Sequence, residues 1–497
     1  MKLTPAISAS ALMLATINSV YAQYTPPPPT APFPGFLNEY LRKQNPYNAS
    51  WDISGTLRSR YEAKENGLGL PPANDFRGST TATTQNDNDY YSTKLLTRIG
   101  YTDKWWSVFI EGRSSMTIGD ERSTTGAGAV PGPGGNGGPE QDGVMDLHQA
   151  FFTLGNHKEF PVSLKLGRQE LSYGDERLVG AFAWNNIGRV FDAVKARWQH
   201  EAFVAEAFSS KVVLPDDNNF NLWNDYNVFS GLHVSTKKIP KQLTEVYFFA
   251  RNEDVGVATA NPGAVLPFQT AAPAARNIYT IGTRLKSNPG ELGNWDYTVE
   301  AAYQFGDWRA TTNSIDHSAF AFAANVGYTF ADTAGKPRIS LEYAYASGDS
   351  DPTDGTHETF DNLYPTNHKF YGYMDFFSWQ NLHDVRGSIS IKPTTALSLA
   401  LEGHLFWAAD TADNIYNAGG VARGAGANPT GFGRNPNYDS YLGAEVDVVA
   451  GYALNKFTSL ESGYGHFFTG DYIDQTWQGA GGSKDADWFY VQAVVKF

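Results

Sequence analysis

The pattern that most restricts this chain has a period of two. In residues 295 to 305, Trp295, Tyr297, Val299, Ala301, Tyr303 and Phe305 alternate with Asp296, Thr298, Glu300 and Gln304. Successive side chains of a strand point to opposite faces, so the segment has one aromatic, apolar face and one polar face. Similar dyads group Ile339, Leu341, Tyr343 and Tyr345 in 338 to 346, Val385, Ile389 and Ile391 in 385 to 392, and Leu397, Leu399, Leu401, Leu405 and Trp407 in 397 to 407. Another runs from 442 to 454. Weaker stretches lie near 51–61, 91–102, 105–117, 145–155, 161–170, 189–199, 201–211, 226–236, 243–252, 277–287, 318–330, 457–468 and 487–497, which brings the total to eighteen.

Both a soluble protein and a barrel can alternate in this way, and other features separate them. The opening MKLTPAISASALMLATINSVYAQ combines Lys2, a mostly apolar run from Ala6 to Ile17, and small residues at Val20 and Ala22. This predicts a secretory signal peptide over 1–22, cleaved after Ala22. Its apolar core is too short for the roughly 30 Å of bilayer hydrocarbon. Beyond it no run of about 18 apolar residues occurs, which excludes a helical membrane protein. A mean hydropathy of -0.39, 14% aromatic residues and 49 glycines suit a porin-like wall: aromatic girdles outside, polar lumen and loops, glycines where strands bend.

The chain has no cysteine, so neither a disulfide framework nor thiolate chemistry is available. A formal charge of -14 argues against nucleic acid as a partner. Residues 487 to 497 put Phe489, Val491, Ala493, Val495 and Phe497 on one face. An alternating last strand ending in Phe is the form expected to engage the barrel-assembly machinery. The expected fold is therefore all-β: a transmembrane antiparallel up-and-down β-barrel of about eighteen strands over 51–497, with long extracellular loops. Residues 23–50, with PPPP at 26–29 and a short helix over 36–45, are expected to form a periplasmic segment. The longest connections fall at 63–90, 118–143, 253–275, 347–383, 409–438 and 469–485, and are rich in Gly, Asn, Asp, Thr and Pro.

Inward parity assigns to the lumen the cations Arg58, Arg60, Lys94, Arg98, Arg113, Lys165, Lys195, Arg197, Arg284, Lys286, Arg386 and Lys392. The acids of the same parity are Glu111, Glu300, Glu342, Glu402, Glu445, Asp447 and Glu461. Two readings stand side by side: mixed charges that pair across strands and stiffen the wall, or a basic excess that favours an anionic solute. Catalysis is not expected. His148, His368 and His383 are the candidate bases, but no nucleophile elbow, paired-carboxylate signature or H-E-x-x-H accompanies them; His383-Asp384 reads as a loop hydrogen bond. The stretch from Gly348 to Gly355 with Glu358 loosely resembles a calcium loop but departs from its spacing, and neither metal nor cofactor is assigned. The glycines of 126–138 read as loop flexibility.

Two passages carry more than the barrel period: LGRQELSYGDERLVG (166–180) with WNNIGRVFDAVKAR (184–197), and FDNLYPTNHKFYGYMDFFSWQNLHDVRGSI (360–389). They resemble the alginate export family of outer-membrane proteins, and the resemblance spans roughly 50 to 497. It implies a monomeric eighteen-stranded barrel in the bacterial outer membrane, with loops that gate its ends and a basic constriction that passes a polyuronate such as alginate. Carried onto this sequence, the constriction would draw on Arg168 and Arg189 in the first passage and on His368, Lys369 and Arg386 in the second, with Arg177 lining the loop beside them. Arg197 joins them as an inward wall residue. The alternative is a general or small-solute porin of the same fold.

Overall fold

Beyond the bilayer a strand no longer needs an apolar face, because water can meet both faces while the ladder hydrogen bonds continue. This is why the first strand of the computed structural model runs past Tyr61 through the polar Glu62, Lys64 and Glu65. The structure describes residues 32–67, 75–77, 87–120, 122, 140–155, 159–215, 220–224, 227–253, 275–309, 314–420, 422–423, 432–479 and 481–497. The signal sequence 1–22, the prolines at 26–29 and the glycine-rich 126–138 lie outside the described residues.

In chain order the first wall strands are β1 Trp51–Glu65, β2 Asn88–Thr102, β3 Trp106–Ile118, β4 Asp142–Leu154, β5 Val162–Gln169 and β6 Phe191–Gln199. There follow β7 Val204–Leu214, β8 Asn227–Thr236, β9 Gln242–Glu253, β10 Arg276–Ser287, β11 Trp295–Arg309 and β12 Ser314–Thr329. The last are β13 Arg338–Ala346, β14 Leu382–Ile391, β15 Leu397–Ala408, β16 Tyr441–Ala453, β17 Thr458–Thr469 and β18 Ala486–Lys496. Each pairs antiparallel with the next, and β18 returns to β1 from Thr56↔Lys496 to Glu65↔Asp487. Among the described residues, eighteen strands thus close a ring in which each wall strand has a neighbour on both sides. All eighteen segments read from the alternation become wall strands in that order.

The alternation also fixes the faces. Phe489 and Val491 are exposed toward lipid, while Trp488 and Tyr490, which alternate with them, are buried in the lumen. At the seam Gly55 N donates to Phe497 O at 2.9 Å and Phe497 N to Gly55 O at 3.0 Å. The Phe497 ring lies over Gly55 on the outer face and leaves no room there for a side chain.

The two rims differ. One carries the short turns, such as 103–105 and 392–396, together with helix α1 (Phe36–Gln44), one residue shorter than its predicted span. The other carries the long connections, including helix α2 (Asp471–Trp477). Two of those connections, 170–190 and 347–381, turn inward, and their apolar residues Leu171, Val179, Phe360, Tyr371, Phe377 and Trp379 form a core inside the barrel.

Candidate functional site in the lumen

The two inward connections hold each other by backbone hydrogen bonds. Val179 and Tyr364 form a parallel bridge, Tyr364 N donates to Leu178 O at 2.9 Å, and Thr366 N donates to Glu176 O at 2.9 Å. Phe182 and Leu363 take left-handed backbone angles, φ 52° and 53°, which bulky residues adopt only when their surroundings over-determine them. Both passages that carry the family resemblance thus become one plug.

The wall grips this plug from several sides. Arg58 and Lys94 donate to the carbonyls of Trp184 and Asn185, each at 2.7 Å, and Arg113 donates to Ile187 O at 2.9 Å. From β10, Arg284 and Lys286 reach Asp175 at 2.7 and 3.0 Å. On β16, Glu445 accepts from Met374 N at 2.9 Å and lies so close to Gly372 (φ +83°) that a Cβ would strike its carboxylate. In a ring of eighteen, β1 and β10 stand nine strands apart, so the plug spans the lumen from wall to opposite wall.

The residues singled out in the sequence occupy four places. Arg177, Lys369 and Arg386 meet at the plug–wall boundary. Arg177 donates to Glu342 at 2.6 Å and stacks at 3.9 Å on Phe370; Lys369 pairs with Glu176 at 2.7 Å; Arg386 donates to Lys369 O at 3.1 Å between Glu342 and Glu402. Burial lowers the pKa of Arg177, but Glu342 outweighs it and leaves the value raised. His368 sits inside the plug, stacked on Trp184 at 3.9 Å and bonded to Asp375 at 3.0 Å. Arg168 and Arg197 stay with the wall: Arg168 makes a two-armed contact with Asp192 at 2.9 and 3.0 Å, and Arg197 pairs with Glu206 at 3.1 Å toward the short-turn rim.

Arg189 differs from the others. It donates to the carbonyls of Gly180 and Pro365 at 3.2 and 2.9 Å and has no carboxylate partner among the described residues. Burial lowers its pKa to about 10, so it is charged at neutral pH. It faces a cavity of about 390 Å³ on the long-loop side of the plug, lined also by the cations Arg251 and Arg276, the acids Asp349, Asp361 and Asp413, and Trp308, His357 and Tyr416.

Sequence parity did not bring out that cavity's charge clamp. Arg251 and Arg276 both reach Asp361 at 2.9 Å and share Glu253. Burial raises Asp361, yet the two guanidiniums hold its carboxyl well below the usual range. Trp308 and His357 stack at 4.0 Å, and burial with His317 pushes His357 down to about 3. Arg251 and Glu253 share the parity of Glu245 and Phe249 on β9, which is the signal that would have found them.

Other residues read from the sequence are also placed. His383 and Asp384 sit on opposite faces of β14 instead of bonding in a loop: His383 takes Tyr343 Oη at 2.7 Å outside, and Asp384 takes His404 at 3.0 Å inside. In the loop that resembles a calcium site, Asp351 and Asp354 accept from Thr353 and Thr356 of the loop itself. Among the described residues no group of three or more His, Asp or Glu is arranged to hold a metal.

A closed antiparallel barrel with lipid-facing aromatics and a charged lumen spanned by a plug defines a channel protein of the bacterial outer membrane. Its family model matches residues 53–484, and the chain belongs to the alginate export family. No curated protein matches the sequence. Solved structures of similar fold include Pseudomonas aeruginosa OpdO (12% identity, TM-score 0.53, covering 90% of this chain and 97% of that one). A BenF-like porin from Pseudomonas fluorescens Pf-5 is similar at 10% identity, with TM-score 0.53 and coverage of 90% and 99%. Pseudomonas aeruginosa OccK2 (OpdF) in complex with glucuronate is similar at 10% identity, with TM-score 0.51 and coverage of 90% and 98%.

Proposed function

We propose that the channel passes an anionic polysaccharide such as alginate, or its oligomers, by passive diffusion, with no chemical step, cofactor or metal. The observation that carries this reading is Arg189, a half-buried cation that faces the vestibule and makes no ion pair among the described residues. In a narrow, low-dielectric passage such a charge acts over the Debye length of roughly 8 Å and favours anions. Arg168, Arg177, Arg197, His368, Lys369 and Arg386 belong to the same passage; their carboxylate partners set its shape, and Arg189 adds a positive charge that no ion pair among the described residues neutralises. A barrel of this fold in complex with glucuronate supports the view that such a scaffold can hold a uronate. The protein works as a monomer, inserted in outer-membrane lipid by the barrel-assembly machinery.

A small-solute channel is the second reading, favoured by the plug that spans the lumen and by a vestibule of about 390 Å³. Reversal potentials in planar bilayers under a salt gradient test the main proposal. Anion preference in the unmutated protein, reduced by Arg189→Gln, is expected; cation preference would overturn it.

A further inference from the structure

Helix α1 sits across the rim that carries the short turns. Asn38 holds it to β1: Asn38 donates to Asp52 at 2.9 Å and accepts from Ile53 N at 3.2 Å, and Arg42 donates to Trp51 O at 2.6 Å. Phe33, just before the helix, turns into the lumen and stacks on Phe109 at 5.2 Å. Phe36 turns the other way. Its ring lies 6.1 Å from Phe457 and 6.3 Å from Phe497, the residue whose ring covers Gly55 on the lipid face.

The outer side of the helix is a ridge of Phe36, Tyr40 and Lys43, spaced by four and three residues and therefore on one face. Phe36 is 50% and Tyr40 60% exposed. Rings left this far in water keep apolar surface that burial in lipid would recover. Between the helix and the wall runs a groove of about 360 Å³, with Leu41, Trp51 and Ile53 as its apolar lining and Asn38, Arg42 and Asn48 as its polar lining; Trp51 and Ile53 are on the lipid-facing parity of β1.

This ridge is continuous with the membrane interface of the barrel. Trp51 packs on Tyr101 at 4.9 Å, Tyr101 on Trp106 at 5.2 Å, and Trp106 on Phe152 at 6.0 Å, a belt of aromatics along the same rim. Aromatic rings of this kind settle at headgroup depth, and an adjacent lysine reaches the phosphates. We propose that α1 is a membrane-interface anchor: Phe36 and Tyr40 seat in the lipid leaflet at this rim, Lys43 meets the headgroup phosphates, and a phospholipid chain fills the groove over Trp51 and Ile53. The helix thereby holds the β1–β18 seam to the bilayer from outside.

The absence of cysteine makes the test clean. Tyr40→Cys is labelled with an environment-sensitive fluorophore in the full folded protein, reconstituted in phospholipid vesicles. Phe248→Cys on the lipid face of β9 and Pro352→Cys in a loop of the opposite rim serve as references. Lipid brominated near the headgroup is expected to quench the Tyr40 label, and aqueous iodide to quench it less than the Pro352 label. A label in Lys43→Cys, which keeps both rings, should also respond to the brominated lipid. Iodide quenching equal to that at Pro352, with no response to brominated lipid at either helix position, overturns the proposal.

Discussion

Arg177, carried by the lumen plug, donates to Glu342 on β13 at 2.6 Å, and the same carboxylate faces Arg386 of β14 at 3.8 Å. All three side chains are almost fully buried, so the wall and plug share one ion network. Removing one member of a buried pair costs about 3–5 kcal/mol, because the charge left behind has no solvent. Arg177→Met is therefore expected to loosen the plug, with a larger and noisier single-channel conductance and a lower temperature for the heat-induced gel shift. Unchanged conductance would show that the plug is held elsewhere.

Arg168 and Arg189 should respond differently to the same change. Arg168→Gln breaks the two-armed contact with Asp192 and should act chiefly on stability, by about 3–5 kcal/mol, with little effect on ion preference. Arg189→Gln gives up two hydrogen bonds to carbonyls, about 1–3 kcal/mol if the carbonyls stay unpaired, and removes the charge at the cavity. Its main readout is a fall in the anion-to-cation permeability ratio. Equal loss of selectivity in both variants contradicts the distinction.

Acid should increase the positive character of the vestibule. Burial, with Asp413 nearby, raises the Asp349 carboxyl from 3.8 to about 6. Its folded value lies above its ordinary one, so the folded state gains stability as pH falls through 6 toward 4 and loses it as pH rises again. Over that window one negative charge leaves the cavity lining, and anion preference should rise between pH 7 and pH 5. In Asp349→Asn that part of the pH dependence should vanish; its persistence would assign the effect to another group.

Closure of the β1–β18 seam should govern assembly. Deleting Phe497 removes the paired hydrogen bonds with Gly55 and the ring that covers it. The assembled fraction in the outer membrane should fall while export across the inner membrane continues. Gly55→Leu, which collides with that ring, should give the same result with the terminus intact. Normal heat-modifiable barrel in both variants would refute the role of this contact.

The wall was readable because a barrel strand between lipid and water must alternate, as 295–305 and 487–497 do. The plug was not, for a physical reason. Phe360, Tyr364, Tyr371, Phe377 and Trp379 are buried among other loop residues and inward wall side chains, so no two-sided environment imposes a period on them. The same passage stood out only by family resemblance, which says nothing about where a loop folds. Pairing was also hidden. Parity found Arg386 and Glu342 on adjacent wall strands, but Arg177–Glu342 joins residues 165 positions apart and required the plug's path.

Current through single channels of the unmutated protein, recorded while polyuronate is added to one side, decides between the polyuronate and small-solute readings. Anion preference at neutral pH and concentration-dependent interruptions of the current, weakened by Arg189→Glu, are expected, because the carboxylate chain dwells where a half-buried cation without an ion-pair partner among the described residues faces the passage. A steady conductance indifferent to polyuronate, or a preference for cations, would contradict the polyuronate reading and leave the small-solute one.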